Sequence, residues 1–151
     1  MKEQLNKRKK SQGGNAVVEF ALGWSILSLL FFGVYHYGYS FYMYNLLQTS
    51  VSNASQFAAR LDYDTASPNT FTSQIQNFAM YGDPAATVGK KLIPGIAANN
   101  VSVNVTLSNS IPIDVTVTVS SFTFSTIFSS TTFTKPRVTV AYSGHVTCST
   151  C

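Results

Sequence analysis

From Phe20 to Tyr39 the chain is apolar with almost no polar interruption: Phe20-Ala-Leu-Gly-Trp-Ser-Ile-Leu-Ser-Leu-Leu-Phe-Phe-Gly-Val34 runs directly into Tyr35, Tyr37 and Tyr39. A hydrocarbon core about 30 Å thick is spanned by about 20 mostly apolar helical residues, so this stretch predicts a transmembrane helix. Helical periodicity persists beyond it. Leu47, Val51, Ala54, Ala58 and Leu61 recur at spacings of four and three, while Asn45, Gln48, Ser52, Ser55 and Gln56 form a side suited to water. The pattern predicts one helix from about Ala16 to Leu61, roughly 70 Å long at 1.5 Å per residue.

The periodicity breaks at Asp62-Tyr-Asp-Thr-Ala-Ser-Pro-Asn69, a run of turn-forming residues. Phe71, Ile75, Phe78 and Ala79 then share one face of a short second helix, with Asn69 or Thr70 as its cap and Gly82 with Pro84 at its end. The Pro-, Gly- and Ala-rich segment from Asp83 to Asn100 predicts a loop. From Val101 the period becomes two. Val101, Val103, Val105 and Leu107 alternate with polar residues, and so do Ile113, Val115, Val117 and Val119. Asn109-Ser-Ile-Pro112 separates the two runs, which therefore predict an antiparallel hairpin, and Val138, Val140 and Tyr142 predict a third strand after a Ser/Thr/Phe-rich connection. The fold class expected is α+β, a long N-terminal transmembrane α-helix followed by a short helix and a small antiparallel β-sheet domain. The divisions are 1–14, a basic leader; 15–61, the long helix; 62–100, the short helix and loop; and 101–151, the β-rich domain.

Charge adds an orientation. The formal net charge of the chain is +4, and the first ten residues account for all of it, with Lys2, Lys7, Arg8, Lys9 and Lys10 against Glu3. The remainder balances to zero, so the folded part offers no basic groove or stripe for phosphates, and no nucleic-acid partner is expected. No charged residue falls between Glu19 and Arg60. Basic residues flanking a membrane segment stay on the cytoplasmic side, which predicts a single-pass protein with a cytoplasmic N-terminus and the rest of the chain outside the cytoplasm. Tyr35, Tyr37, Tyr39, Tyr42 and Tyr44 then mark the outer interface, with His36 in the same belt and Trp24 near the inner end. The apolar run passes into these tyrosines and not into a small-residue cleavage site, so the helix is expected to stay attached.

Gly13-Gly14-Asn15-Ala16-Val17-Val18-Glu19-Phe20 lies between the basic tail and the apolar run. On its residues alone, Glu19 is either an interfacial carboxylate reaching headgroups beyond a flexible glycine joint, or an intramembrane acid with a purpose. At the bilayer midplane such an acid costs about 2.5–3.5 kcal/mol. The arrangement resembles a prepilin processing site of the type IV pilin superfamily. Within it, Ala16-Val-Val-Glu-Phe-Ala-Leu22, the stretch through Tyr44, and Ala58-Ala59-Arg60 resemble the TadE-like family, minor pilins of the tight-adherence pilus system. Met80-Tyr-Gly-Asp-Pro84, Leu92-Ile-Pro-Gly95, Asn100-Val-Ser-Val103 and Pro136-Arg-Val-Thr-Val140 are similar to segments of longer members with a C-terminal β-domain.

The resemblance implies a cut by a prepilin peptidase between Gly14 and Asn15. Glu19 becomes the fifth residue, set beside Phe20 and able to pair with a neighbouring subunit's new α-amino group. Implied partners are other pilins or pseudopilins, the inner-membrane pilus assembly platform, the prepilin peptidase and the lipid bilayer. The implied role is pilus assembly, with cell adhesion as a further expectation. The alternative is a membrane-anchored extracytoplasmic binding protein, adhesin-like and outside any filament.

Little else suggests chemistry, and neither an enzyme nor a cofactor is expected. Cys148 and Cys151 follow a strand instead of opening a helix in a βαβ unit, which argues against a thioredoxin-like pair. With His145 as the sole addition they fall short of the usual four zinc ligands, so no metal is expected. An oxidising periplasm favours a disulfide, either between the two or to a partner. Asp62 and Asp64 read as turn formers.

Overall fold

The structure is a computed structural model that describes residues 2–126 and 129–147, with side chains from Gly14 onward. It divides into two compact units, residues 1–39 and 40–151. Helix α1, Lys2–Ala58, supplies the described part of the first unit and the opening element of the second. The expected start near Ala16 is therefore corrected: helix runs from Lys2 through Gly13 and Gly14. Lys, Gln, Leu and Arg are good helix formers, and two glycines at about 1 kcal/mol each do not interrupt a helix already propagating on both sides.

Within the second unit, Met43, Leu47, Val51, Ala54 and Ala58 are buried along α1. Ser55, assigned from the sequence to the water side, is buried as well. It lies four residues after Val51, and its hydroxyl donates to the Val51 carbonyl at 2.8 Å, so the helix itself satisfies the polar group. Leu61, the last apolar position of the expected stripe, is only half-buried because the helix has already ended. After Ala58 the backbone tightens, with Arg60 and Leu61 both donating to the Phe57 carbonyl at 3.1 Å.

Strand β1, Tyr63–Asp64, leads to helix α2, Pro68–Tyr81. Ser67, and not Asn69 or Thr70, is the N-cap, because Pro68 is accommodated at the first helical position where its missing N–H costs nothing. Gly82 closes the helix in the left-handed conformation, φ 77°, and donates to the Phe78 carbonyl. Phe71, Ile75 and Ala79 are buried as the spacing predicts, whereas Phe78 is half-buried and stacks on Phe57, ring centroids 4.5 Å apart. Ser50 of α1 donates to the Ala79 carbonyl of α2 at 2.6 Å. The loop after α2 is less open than its composition suggests, since Ile93 and Ile96 are buried, and it ends in a 3-10 turn, Ala98–Asn100.

The main sheet has the order β2-β3-β6, all antiparallel, from β2 Val101–Ser108, β3 Ile111–Val119 and β6 Arg137–Ala141. The hairpin turn is Asn109-Ser110 alone, both at positive φ (51° and 66°), as a two-residue turn of the primed kind demands; Ile111 and Pro112 belong to β3. Val101, Val115, Val117 and Val119 are buried, but Leu107, Ile111 and Ile113 are about half exposed (48, 56 and 49%). The alternation thus predicts the strands correctly and overstates the buried face. A register shift at Thr106/Leu107 breaks the alternation where the hairpin end leaves the core.

Two further pairings were not expected. The Ser/Thr/Phe-rich connection contains an antiparallel hairpin, β4 Phe122–Ser125 with β5 Ser130–Phe133. Phe122 and Phe124 point inward and Phe133 meets Tyr44 of α1, centroids 5.6 Å apart. Strand β7, Val146–Thr147, pairs with β1 in parallel.

Candidate functional site

The first unit carries the motif at the membrane entry. Gly14, Asn15, Glu19 and Phe20 are all exposed on α1, and nothing lies within 4 Å of a Cβ added to Gly14. Asn15 and Glu19 are four residues apart, so they share one face of the helix about 6 Å apart along its axis. Among the described residues nothing pairs with the Glu19 carboxylate. Phe20 stacks one turn on against Trp24, centroids 6.2 Å apart. Because the helix starts at Lys2, Glu19 is not in its first turn. A carboxylate gains from the helix dipole only within the first turn, so Glu19 would gain from it only in a chain cut after Gly14.

Beyond Glu19 the helix is apolar on every side. Phe20, Leu22, Trp24, Ile26, Leu27, Leu29, Leu30 and Val34 point around the full circumference, each at least 60% exposed. A helix without a polar side needs lipid or other helices around it, and its length and composition suffice to cross a membrane. Its polar groups are managed internally, as where the Ser25 hydroxyl donates to the Ala21 carbonyl at 2.8 Å. Tyr35 and Tyr39 stack one turn apart in the aromatic belt, centroids 6.3 Å apart.

In the second unit the feature that the sequence did not announce is a strap over the end of α1. The Ser143 N–H and hydroxyl both donate to the Ala59 carbonyl, at 2.8 and 3.0 Å. The Tyr142 hydroxyl lies 2.8 Å from both the Leu61 and the His145 carbonyls, and the Tyr63 N–H donates to the His145 carbonyl at 2.9 Å. Carbonyls left orphaned where a helix stops are thus satisfied from 80 residues further along the chain. Gly144 makes the approach feasible, because a Cβ there would meet the Leu61 carbonyl oxygen at 2.6 Å and the Tyr142 hydroxyl at 2.7 Å. Burial, more than the nearby Asp62, holds the Tyr142 phenol above its ordinary pKa, and the hydrogen bond to the Tyr63 backbone partly offsets this. Tyr142 was visible only as a strand residue; a Tyr-Ser-Gly sequence directly after a strand is the faint signal of a closing turn.

Beside the end of α1, a cleft of about 460 Å³ is lined by Asn53, Gln56, Phe57, Arg60, Asp62 and Phe78. Among the described residues there is no group of three His, Cys, Asp or Glu side chains able to hold a metal. Cys148 and Cys151 lie outside the described residues, so the expected disulfide has no structural account.

Together these features define an α+β protein with one candidate membrane helix and a small sheet-bearing unit. Residues 14–60, about a third of the chain, match the family model described as TadE-like protein. This segment is similar to the TadE-like family, as the resemblance read from Ala16–Leu22 and Ala58–Arg60 implied. No curated protein and no solved structure matches the chain.

Proposed function

We propose that this protein is a non-enzymatic minor pilin or pseudopilin of a tight-adherence pilus system that takes part in pilus assembly. It is anchored in the inner membrane by residues 20–39, with its second unit in the periplasm. The observation that carries this reading is the composition of the TadE-like segment: an exposed Gly14-Asn15 bond, a Glu19 that no described residue pairs with on the same face as Asn15, and an exposed apolar helix directly after them. Cutting at Gly14 turns a mid-helix acid into one in the first turn, beside a positive helix end and a new amine. In a bundle of such helices the amine of one subunit neutralises the acid of the next, which removes the cost of burying Glu19 and sets the axial register.

The experiment is Glu19→Gln, which keeps shape and loses charge. The variant is expected to insert in the inner membrane at wild-type level while its recovery in sheared pili falls at least tenfold. Wild-type recovery in the pilus fraction would refute an assembly role for the acid. Unaltered surface binding in a strain without pili would favour the anchored adhesin-like alternative.

A further inference from the structure

Among the described residues no strand pairs with the outer edge of β2 or of β6, and the two edges are unlike each other. The carbonyl of Val101 accepts from the Gln76 side chain at 2.9 Å and the N–H of Val119, its partner in register, donates to Pro136. Odd-numbered residues of β2 therefore turn their backbone groups away from β3, and no described residue pairs with those of Val103 and Val105. On β6 the Tyr142 N–H donates inward to the Ile113 carbonyl, so Arg137, Thr139 and Ala141 turn outward. The β2 edge carries no charge, proline or covering strand, and no charged residue occurs between Lys91 and Asp114. The β6 edge follows Lys135 and Pro136 and begins with Arg137. Charged residues and proline at an edge oppose its pairing with a like edge; here they stand only at the start of β6, which disfavours β6 against β6 and leaves β2 without them.

We propose that β2 of one copy pairs with β6 of the next, in parallel, so that neighbouring subunits share a continuous sheet. This rests on the pilus reading and deepens it. Three observations select this occupant. β2 and β6 are each antiparallel to β3 and so run in the same direction, which makes their pairing compatible with copies anchored alike in one membrane. Contact between two β6 edges would set Arg137 and Lys135 against their own copies, whereas β2 is uncharged. Finally, Val103 and Val105 on one edge and Val138 and Val140 on the other are half-buried, while Val115 and Val117 of the central strand are fully covered. Placing Asn104 beside Thr139 sets these valines side by side and aligns the polar face. The contact is heterologous, so each copy offers one edge to the copy before it and the other to the copy after it, as an assembling array needs.

The test is oxidative crosslinking in membranes, on full-length protein with Cys148→Ser and Cys151→Ser. Asn104 and Thr139 both flank Thr116 in register, so within one copy they stand two strand spacings, about 10 Å, apart, beyond disulfide reach. Across the proposed contact their Cβ atoms are about 5 Å apart. A chain carrying Asn104→Cys and Thr139→Cys is expected to give a ladder of dimers, trimers and higher species. Either substitution alone is expected to give none, and co-expression of the two single variants a dimer only. Adding Val105→Pro, which removes an outward N–H and leaves the β2–β3 ladder intact, is expected to abolish the ladder. Dimers from Asn104→Cys alone, or no ladder in membranes where the chain is cut after Gly14, would overturn the sheet contact and leave the pilus reading standing. Failure of the cut itself tests that reading separately.

Discussion

Gly144→Ala is the most informative single perturbation of the second unit. The added methyl would lie 2.6 Å from the Leu61 carbonyl oxygen, 2.7 Å from the Tyr142 hydroxyl and 2.8 Å from its ring carbon. Two of those atoms belong to a backbone carbonyl and a ring already held by hydrogen bonds, so neither moves freely. Relief requires the strap to lift, at an overpacking cost of about 1–3 kcal/mol. Lifting it weakens the Tyr142 contact with Leu61 and the Ser143 contacts with Ala59, which contribute about 0.5–1.5 kcal/mol each. With all three bonds lost the total is about 2.5–7.5 kcal/mol. For a unit of this size, 1 kcal/mol moves the midpoint by roughly 4 °C, so thermal unfolding of the full chain in detergent should show a fall of roughly 10–30 °C. Gly23→Ala and Gly33→Ala meet nothing within 4 Å and serve as controls expected to leave the midpoint unchanged. A Gly144→Ala midpoint within 2 °C of wild type would refute the strap as a tight closure.

Other outcomes follow from the same structure. Ser50→Ala removes the buried bond to the Ala79 carbonyl and should cost about 1–2 kcal/mol in the same thermal assay. Leu47→Ala, at a fully buried position on α1, should cost about 2–5 kcal/mol, read as increased protease sensitivity of the second unit. Because the folded state raises the Tyr142 pKa, its contribution is fully present below the phenol's ordinary value of about 10 and is lost as the pH rises through the higher folded value. Alkaline unfolding curves should therefore show stability declining above about pH 10, and Tyr142→Phe should flatten that decline.

What was legible in the sequence tracks how local each cause is. The candidate membrane helix announces itself through an unbroken apolar run, and the stripe from Leu47 to Ala58, α2 and the three main strands through periodicity, because burial on one side imposes it. Gly14, Asn15, Glu19 and Phe20 lie within seven consecutive positions at the start of the segment matched by the TadE-like family model, so their proximity is a matter of sequence alone. The strap was not legible, because its bonds join Ala59 and Leu61 to residues 142–145 and depend on a glycine whose importance is steric. The β4–β5 hairpin escaped notice because Ser and Thr dominate the segment and Phe122 and Phe124 alone carry its alternation. Ser55 was misplaced because a hydroxyl bonded to its own helix is tolerated in a core. The start of α1 was misplaced because charge and composition separate a basic stretch from an apolar one without breaking the helix between them.

The central claim is that residues 1–14 are a processed leader and Glu19 an assembly acid at the new end. Its most direct test is the N-terminal sequence and intact mass of the protein from cells with and without the prepilin peptidase. The account predicts a chain beginning at Asn15 in the first and at Met1 in the second. Met1 retained in both, with pili assembling normally, would contradict it.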